Sequence, residues 1–233
     1  MKRLFLFFFV ISNCISVAAQ WRVGITAGAT YNDYSIDNHY MSDWHYKGAW
    51  GKLPTGSYYV YLSTLGIMGQ YDITDWLGVR ADLNWAMKDH RQYRTMVSTD
   101  YETLNSYLQL PIMASFSFGG DKIRGFLNTG FYTDYWLSSY DYGEQQFPMT
   151  GVGMYGKFRN EFDSERDQRF DFGFVGGAGI EWRFNFLKQN WTWQIIEARV
   201  YYSTTSTQKD YMKIKDPRYN TTFALQSGLC YFF

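Results

Sequence analysis

The sequence is short of several things that most folded chains have. It holds two cysteines, Cys14 and Cys230, and four prolines. Past residue 11 it has no apolar run approaching the roughly 18 to 20 residues that a membrane-spanning helix needs. Its formal net charge is +0, with no basic tract or stripe. The scarcity of cysteine excludes a disulfide framework. The missing apolar runs exclude a helical membrane protein, and the missing basic stripe excludes nucleic acid as a partner.

What is present in excess is aromatic. Phe, Trp and Tyr make up 21% of the chain, yet the mean hydropathy is only −0.36. A chain rich in rings but not hydropathic is what results when half of every strand faces lipid and the other half faces water. The last strand shows the pattern. Phe223, Leu225, Leu229, Tyr231 and Phe233 alternate with Thr222, Ala224, Gln226, Gly228 and Cys230 up to the final residue. A period of two with a greasy outer face and a polar inner face is the signature of a transmembrane β-strand.

The amino-terminal segment agrees. Lys2 and Arg3 precede an apolar run from Leu4 to Ile11, and Val17, Ala18 and Ala19 precede Gln20. That layout predicts a secretory signal peptide over residues 1–19, cleaved to leave a barrel domain over 20–233. Its removal takes the charge balance to about −2 and leaves Cys230 as the single cysteine. Cys14 follows Asn13, where a lipidated cysteine follows a small residue, so lipidation is not expected.

Along the mature chain the alternation predicts eight strands. The first runs over Arg22–Tyr31 and the second, with blurred alternation, over about Tyr58–Tyr71. The third is the cleanest: Val79, Ala81, Leu83, Trp85 and Met87 oppose Arg80, Asp82, Asn84 and Lys88. The fourth places Leu108, Leu110, Ile112, Ala114 and Phe116 outward, with Pro111 awkward because proline removes a ladder donor and marks an edge or bulge. The fifth sets Leu127, Phe131, Tyr135 and Leu137 against Asn128, Gly130, Tyr132 and Asp134. The sixth covers Phe172–Phe184, the seventh turns Ile196, Ala198, Val200 and Tyr202 outward, and the terminal strand is the eighth. Short turns at Asp72–Leu77, Gly119–Asp121 and Asn185–Gln189 alternate with long loops over about 32–55, through His90, Arg91 and Asp100, and over about 138–169 and 203–219. The expected fold is all-β, an eight-stranded antiparallel up-and-down transmembrane barrel with long extracellular loops, in the bacterial outer membrane. Trp76, Trp85, Trp136, Trp182, Trp191 and Trp193 are expected in interfacial girdles.

The signal ending in Ala-Gln, the Leu-Gln-Leu-Pro of 108–111, the Gly-Gly-Ala-Gly-Ile-Glu of 176–181, the Glu-Ala-Arg of 197–199 and the terminal Phe resemble the PorT-like outer-membrane β-barrel family of Bacteroidetes. The resemblance covers essentially the whole mature chain. It implies a link to a protein-secretion or envelope-assembly complex. It also implies that Leu229, Tyr231 and Phe233 belong to the signal read by the barrel-assembly machinery.

An eight-stranded barrel is just wide enough inside for its own side chains. The inward positions hold Arg22, Arg80, Lys88, Arg183 and Arg199 with Asp82, Asp171, Glu181 and Glu197. Such charges must pair to offset desolvation, so a salt-bridge network that fixes register is expected in preference to a selective ion path. The glycines at 173, 176, 177 and 179 give room to facing Arg and Tyr side chains; the strand-turn-helix context of a nucleotide loop is absent.

Catalysis has little support. All three histidines, His39, His45 and His90, fall in predicted outer loops, and Asp37, His39, Asp43 and His45 match no compact zinc spacing. His90 with Ser98 or Ser106 would be the base and nucleophile of a lipid-A-modifying enzyme, but no third orienting residue is identifiable. Neither an enzyme nor a cofactor is expected. The loops carry the candidate binding surface: Tyr40, Trp44, Tyr46 and Trp50 in the first, and Tyr142, Phe147 and Tyr155 in the third, suited to glycans or an envelope protein partner or, alternatively, packed on one another as strand extensions. Outer-membrane lipid and lipopolysaccharide are the partners that the greasy exterior implies.

Overall fold

The structure is a computed structural model that describes residues 20–36, 44–55, 58–94, 99–146, 153–186, 189–209 and 217–233. Thirteen strands appear among them, all antiparallel: β1 (Gln20–Ile36), β2 (Trp44–Trp50), β3 (Leu53–Thr55), β4 (Tyr58–Val60), β5 (Thr64–Asp72), β6 (Leu77–Met87), β7 (His90–Arg94), β8 (Thr99–Gly119), β9 (Ile123–Gln146), β10 (Gly153–Asn160), β11 (Phe170–Phe186), β12 (Gln189–Ser203) and β13 (Arg218–Phe232). Eight of them close a ring in chain order, β1-β5-β6-β8-β9-β11-β12-β13 and back to β1. The seam runs from Arg22↔Phe232 to Ile36↔Arg218 on one side of β1, and from Gln20↔Asp72 to Gly28↔Thr64 on the other. Closure leaves no edge whose N–H and C=O groups would meet hydrocarbon unpaired. The predicted signal segment, residues 1–19, lies outside the described residues.

The cylinder is inverted relative to a water-soluble fold. Ile25, Ile67 and Phe174 are each more than half exposed on the outside, while Arg199, Lys88 and Glu197 are fully buried within. The two-residue period produces this directly, because each inward Arg or Asp is flanked by outward Leu, Ile or Phe. β8 shows it over its lower half, where Leu108, Leu110, Ile112 and Phe116 are exposed and Gln109, Met113 and Ser115 are buried.

Several sequence expectations need correction. The second strand breaks: β4 pairs with β3, and the barrel strand begins only at Thr64. Ser63 makes the break, accepting from the Thr30 N–H at 2.7 Å through its hydroxyl while its backbone N–H donates to Gly28 O at 2.9 Å. Met87 is buried, not outward, since its carbonyl accepts the Thr30 hydroxyl at 2.6 Å where β6 ends. Pro111 marks neither an edge nor a bulge. It pairs with Tyr132 of β9, while on the β6 side the ladder passes from Asn84↔Gln109 to Ala81↔Ile112 with no pair between, which spares the missing N–H.

The long connections are not loops throughout. β2 pairs with the upper end of β1 and with β7, β7 with the upper end of β8, and β10 with the upper end of β9. The wall therefore continues past the ring on this side. At the opposite end the connections from Asp72 to Leu77, Gly119 to Ile123 and Phe186 to Gln189 are short, and Gln20 and Phe232 lie beside them. The turn after β8 is set by Gly119, whose φ of 118° an L side chain rarely adopts.

Candidate functional site

The lumen is filled in three charged layers. Nearest the short turns, Arg22 reaches Asp72 at 2.7 Å and Glu181 at 2.8 Å, and Arg183 reaches Glu181 at 3.3 Å. Both guanidinium groups sit 5.2 Å from the ring of Phe232. In the middle, Arg80 meets Asp82 at 2.8 Å and Glu197 at 3.3 Å, while Arg199 meets Glu197 and Asp82, each at 2.7 Å. Asn128 at 2.6 Å and Gln226 at 3.0 Å donate to the same Glu197 carboxylate. In the upper layer Lys88 is fully buried, paired with Asp134 and 3.7 Å from Asp171, with the rings of Tyr107 and Tyr132 at 5.0 and 5.1 Å.

All nine charged residues expected in the lumen are thus brought together. Asp72 and Asp134 join them, so five bases face six acids. Asp134 carried an inward signal in its strand; Asp72 sits at a turn, where alternation says nothing. Between β1 and β13 the upper lumen carries a neutral set, with Asn32 donating to Asn220 at 2.9 Å and Thr222 donating to Asn32 at 2.7 Å.

A cavity of about 260 Å³ opens above Lys88 at the long-connection end. Tyr107, 2% exposed, lines its floor and shields the Lys88 ammonium beneath. One wall is Tyr34 of β1 stacked on His90 of β7, rings 4.2 Å apart and nearly parallel, with Tyr46 of β2 5.6 Å from Tyr34. The facing wall is Trp136 of β9, stacked on Tyr107 at 5.8 Å and met edge-on by Phe162 at 4.9 Å. Between β10 and β13 the wall is completed by the segments 161–169 and 204–209, tied by the Asp167↔Gln208 bridge and by Thr207 N–H donating to Arg218 O at 2.8 Å.

The electrostatics at the rim follow from burial. Asp89, just past the end of β6, is pushed up to about 7 by its loss of water, against the pull of the Lys52 and Asn105 backbone N–H groups that it accepts at 3.0 Å. His90 is driven down to about 3, by burial first and then by the Arg218 cation. It is therefore a neutral ring at physiological pH.

Trp136 was expected in an outer girdle and instead lines the cavity. Plain alternation puts it there, since Trp136 shares the inward parity of Tyr132 and Asp134; the register shift between Ser106 and Tyr107, which skips Leu137, reverses the parity of β9 only above it. The other tryptophans divide by height. Trp182 and Trp193 lie 6.3 Å apart near the short turns, Trp191 packs on Tyr231 at 5.3 Å, and Trp76, in the turn between β5 and β6, is exposed and stacks on Phe116 at 6.3 Å. Tyr231 also meets Phe233 at 4.9 Å, the Phe233 N–H donates to Trp21 O at 2.9 Å, and Leu229 faces outward.

The expected loop surface is split. Tyr46 lines the cavity, whereas Trp50 is exposed outside, edge-on to Tyr31 at 5.5 Å. Tyr142 and Tyr155 pair across the β9–β10 hairpin, their hydroxyls 2.9 Å apart. Trp44 begins β2, and Tyr40 and Phe147 lie outside the described residues. Of the catalytic candidates, Ser106 is engaged with the Ser138 hydroxyl at 2.7 Å, the Nδ1 atom of His90 lies 3.4 Å from the Asn105 amide, and Ser98 is outside the described residues. Among the described residues no group of three or more metal-ligating side chains occurs.

With a closed ring, a greasy outside and a charged inside in place, the family follows. The model of the outer membrane protein β-barrel domain matches residues 16–209. The chain belongs to that family. This outer-membrane barrel protein resides in the bacterial outer membrane. Among solved structures it is similar to the outer membrane protein OprG from Pseudomonas aeruginosa, at 11% identity over 93% of this chain and 96% of that one, TM-score 0.49. It is also similar to Neisserial surface protein A, at 11% identity over 91% and 96%, TM-score 0.45. A third similarity is to the outer membrane protease OmpT from Escherichia coli, at 12% identity over 94% and 100%, TM-score 0.40. No curated protein matches the chain. The fold alone does not assign an activity.

Proposed function

We propose that the protein is a non-enzymatic integral outer-membrane barrel whose lumen is closed and whose working surface is the end bearing the long connections. The observation that carries this reading is the Lys88 layer. A fully buried ammonium held by Asp134 and Asp171 between two tyrosine rings stands between the recess at the long-connection end and the rest of the lumen. A barrel plugged by its own ion pairs serves structure and surface contact, not conduction.

Small outer-membrane barrels turn their short connections to the periplasm and their long ones outward. By that rule the cavity and the β9–β10 hairpin face the cell exterior, and the Trp182–Trp193 cluster sits at the periplasmic interface. In the same reading residues 1–19 are the cleaved export signal, and Leu229, Tyr231 and Phe233 serve recognition by the assembly machinery. Cysteine labelling tests the orientation. Tyr155→Cys should react with an impermeant maleimide on whole cells, and Asp121→Cys only after the outer membrane is opened; the reverse result would overturn the orientation. Steady large conductance from the refolded protein in planar bilayers would overturn the closed lumen.

A second reading, a component of a secretion or envelope-assembly complex of the PorT type, draws on the motifs at 108–111, 176–181 and 197–199. It requires a stoichiometric complex with periplasmic or inner-membrane proteins, recoverable from mild detergent extracts.

A further inference from the structure

We infer that the recess above Lys88 is a binding site for a neutral saccharide unit. The inference rests on the outward-facing reading above and names the ligand class for that same end of the barrel. Its first support is a set of buried polar atoms without a hydrogen-bond partner, on residues that line the recess. Asn105, 3% exposed, spends its amide N–H on Lys88 O at 3.3 Å, but its Oδ1 has no hydrogen-bond partner among the described residues. Trp136 Nε1 and Gln208 Oε1 are buried in the same state. All three residues line the recess, so small side-chain adjustments on ligand entry bring two acceptors and one donor to a hydroxylated ligand that would satisfy them.

The second support is shape. The Tyr34–His90 stack and the Tyr107–Trp136 stack form two flat apolar walls. At about 260 Å³ the space lies just below the roughly 300–1,000 Å³ of typical small-molecule pockets. A pyranose ring offers C–H faces to such walls and equatorial hydroxyls to the polar atoms between them. A protein side of any breadth does not enter a recess of this size.

The third support is charge. Asp141, Glu161 and Asp167 line the recess together with Arg166 and Arg218. Asp141 accepts the Thr103 hydroxyl at 2.7 Å, and Arg166 is paired with Asp167 at 2.9 Å. Carboxylates on the wall disfavour a sulfated or phosphorylated sugar, and the guanidinium groups disfavour an amine, which leaves a neutral ring as the matched ligand.

The test uses the refolded full-length mature protein in detergent micelles and a panel of neutral trisaccharides built on glucose, galactose, mannose or N-acetylglucosamine, with a sulfated trisaccharide alongside. Saturation-transfer NMR and tryptophan emission report binding. At least one neutral trisaccharide should bind saturably. Trp136→Phe, which keeps the ring wall and removes the donor, should weaken it about tenfold, the scale of one lost hydrogen bond in a buried site. Gln208→Ala, in a segment outside the barrel ladder, should do the same without touching the fold. The inference is overturned if no neutral trisaccharide binds, if only the sulfated one does, or if both variants bind as the wild type does. The whole-cell labelling of Tyr155→Cys separates the two levels: labelling without saccharide binding removes this inference alone, and absence of labelling on a folded barrel removes the outward-facing reading.

Discussion

Arg199 and Glu197, two residues apart on β12, form a two-pronged pair in which Nε meets Oε1 at 2.7 Å and Nη2 meets Oε2 at 2.9 Å, with both side chains fully buried. The geometry follows from the strand period, since i and i+2 share one face and here that face is the lumen. Glu197 also holds Arg80 at 3.3 Å. Glu197→Ala therefore leaves two buried guanidinium groups sharing the single Asp82 carboxylate, and we predict a loss of about 3–5 kcal/mol, the scale of a buried pair broken on one side. Urea unfolding of the refolded barrel in lipid vesicles measures it; a change under about 1 kcal/mol would show that the pair contributes nothing beyond a solvated contact.

Lys88 tests the same physics with the sign reversed. Lys88→Met keeps the stem packed between Tyr107 and Tyr132 but leaves Asp134 and Asp171 as neighbouring carboxylates without their cation. The single variant should destabilise by about 3–5 kcal/mol. Adding Asp134→Asn removes one stranded charge, so the double variant should be more stable than the sum of the single losses, with a coupling of about 1–3 kcal/mol. Simple additivity in the double-mutant cycle would place the two groups in separate environments.

The barrel wall was legible because alternation is forced wherever one face meets acyl chains and the other meets buried charge. Arg80 and Asp82 on β6 and Lys88 just past its end could be placed inward from sequence alone, as could Asp171 and Glu181 on β11. Above the membrane that constraint lapses. The residues of β2, β7 and β10 mix aromatics with Lys, Arg and Gln, and the period-two signal disappears although the strands persist. The site was harder still. Its floor and one wall, Tyr107 and Trp136, follow the inward alternation of β8 and β9, but Ser139 and Asp141 reach the recess only because of a one-residue bulge at Leu137, and a bulge leaves no mark in a side-chain pattern. Asn105 and Gln208 gave no signal because an unpartnered amide is visible only once its surroundings are assembled.

Two adjacent glycines on β11 separate packing from backbone effects. A Cβ at Gly177 would sit 2.8 Å from Cγ of Arg199 and 2.9 Å from the Ala198 carbonyl, whereas a Cβ at Gly176 would meet nothing nearer than Asn128 O at 3.9 Å. Gly177 is thus the space into which the stem of Arg199 folds. We predict that Gly177→Ala costs about 1–3 kcal/mol by overpacking, and that Gly176→Ala stays within about 0.5 kcal/mol of the wild type. Equal effects in urea unfolding would show that the lumen adjusts around Arg199.

Asp89 and His90 set opposing pH dependences at the rim of the recess. Burial raises the folded-state Asp89 to about 7 from an ordinary 3.8, so the unfolded chain releases this proton first as pH rises. The contribution of Asp89 is fully present below about pH 4 and is lost as pH climbs through 7, a change of up to about 4 kcal/mol. His90 runs the other way. Its folded value falls to about 3 from 6.5, so the unfolded chain takes up a proton that the folded one refuses, and stability rises from pH 3 to 6.5. Over the shared window the two slopes offset, and the wild type should be flatter than either variant. Relative to Asp89→Asn, the wild type should lose stability between pH 4 and 7. Relative to His90→Phe, which keeps a ring against Tyr34, it should gain stability between pH 3 and 6.5. Urea midpoints across that range decide it: an Asp89→Asn curve parallel to the wild type would mean that the carboxylate stays ionised on its two backbone N–H groups, with hydrogen bonding outweighing burial.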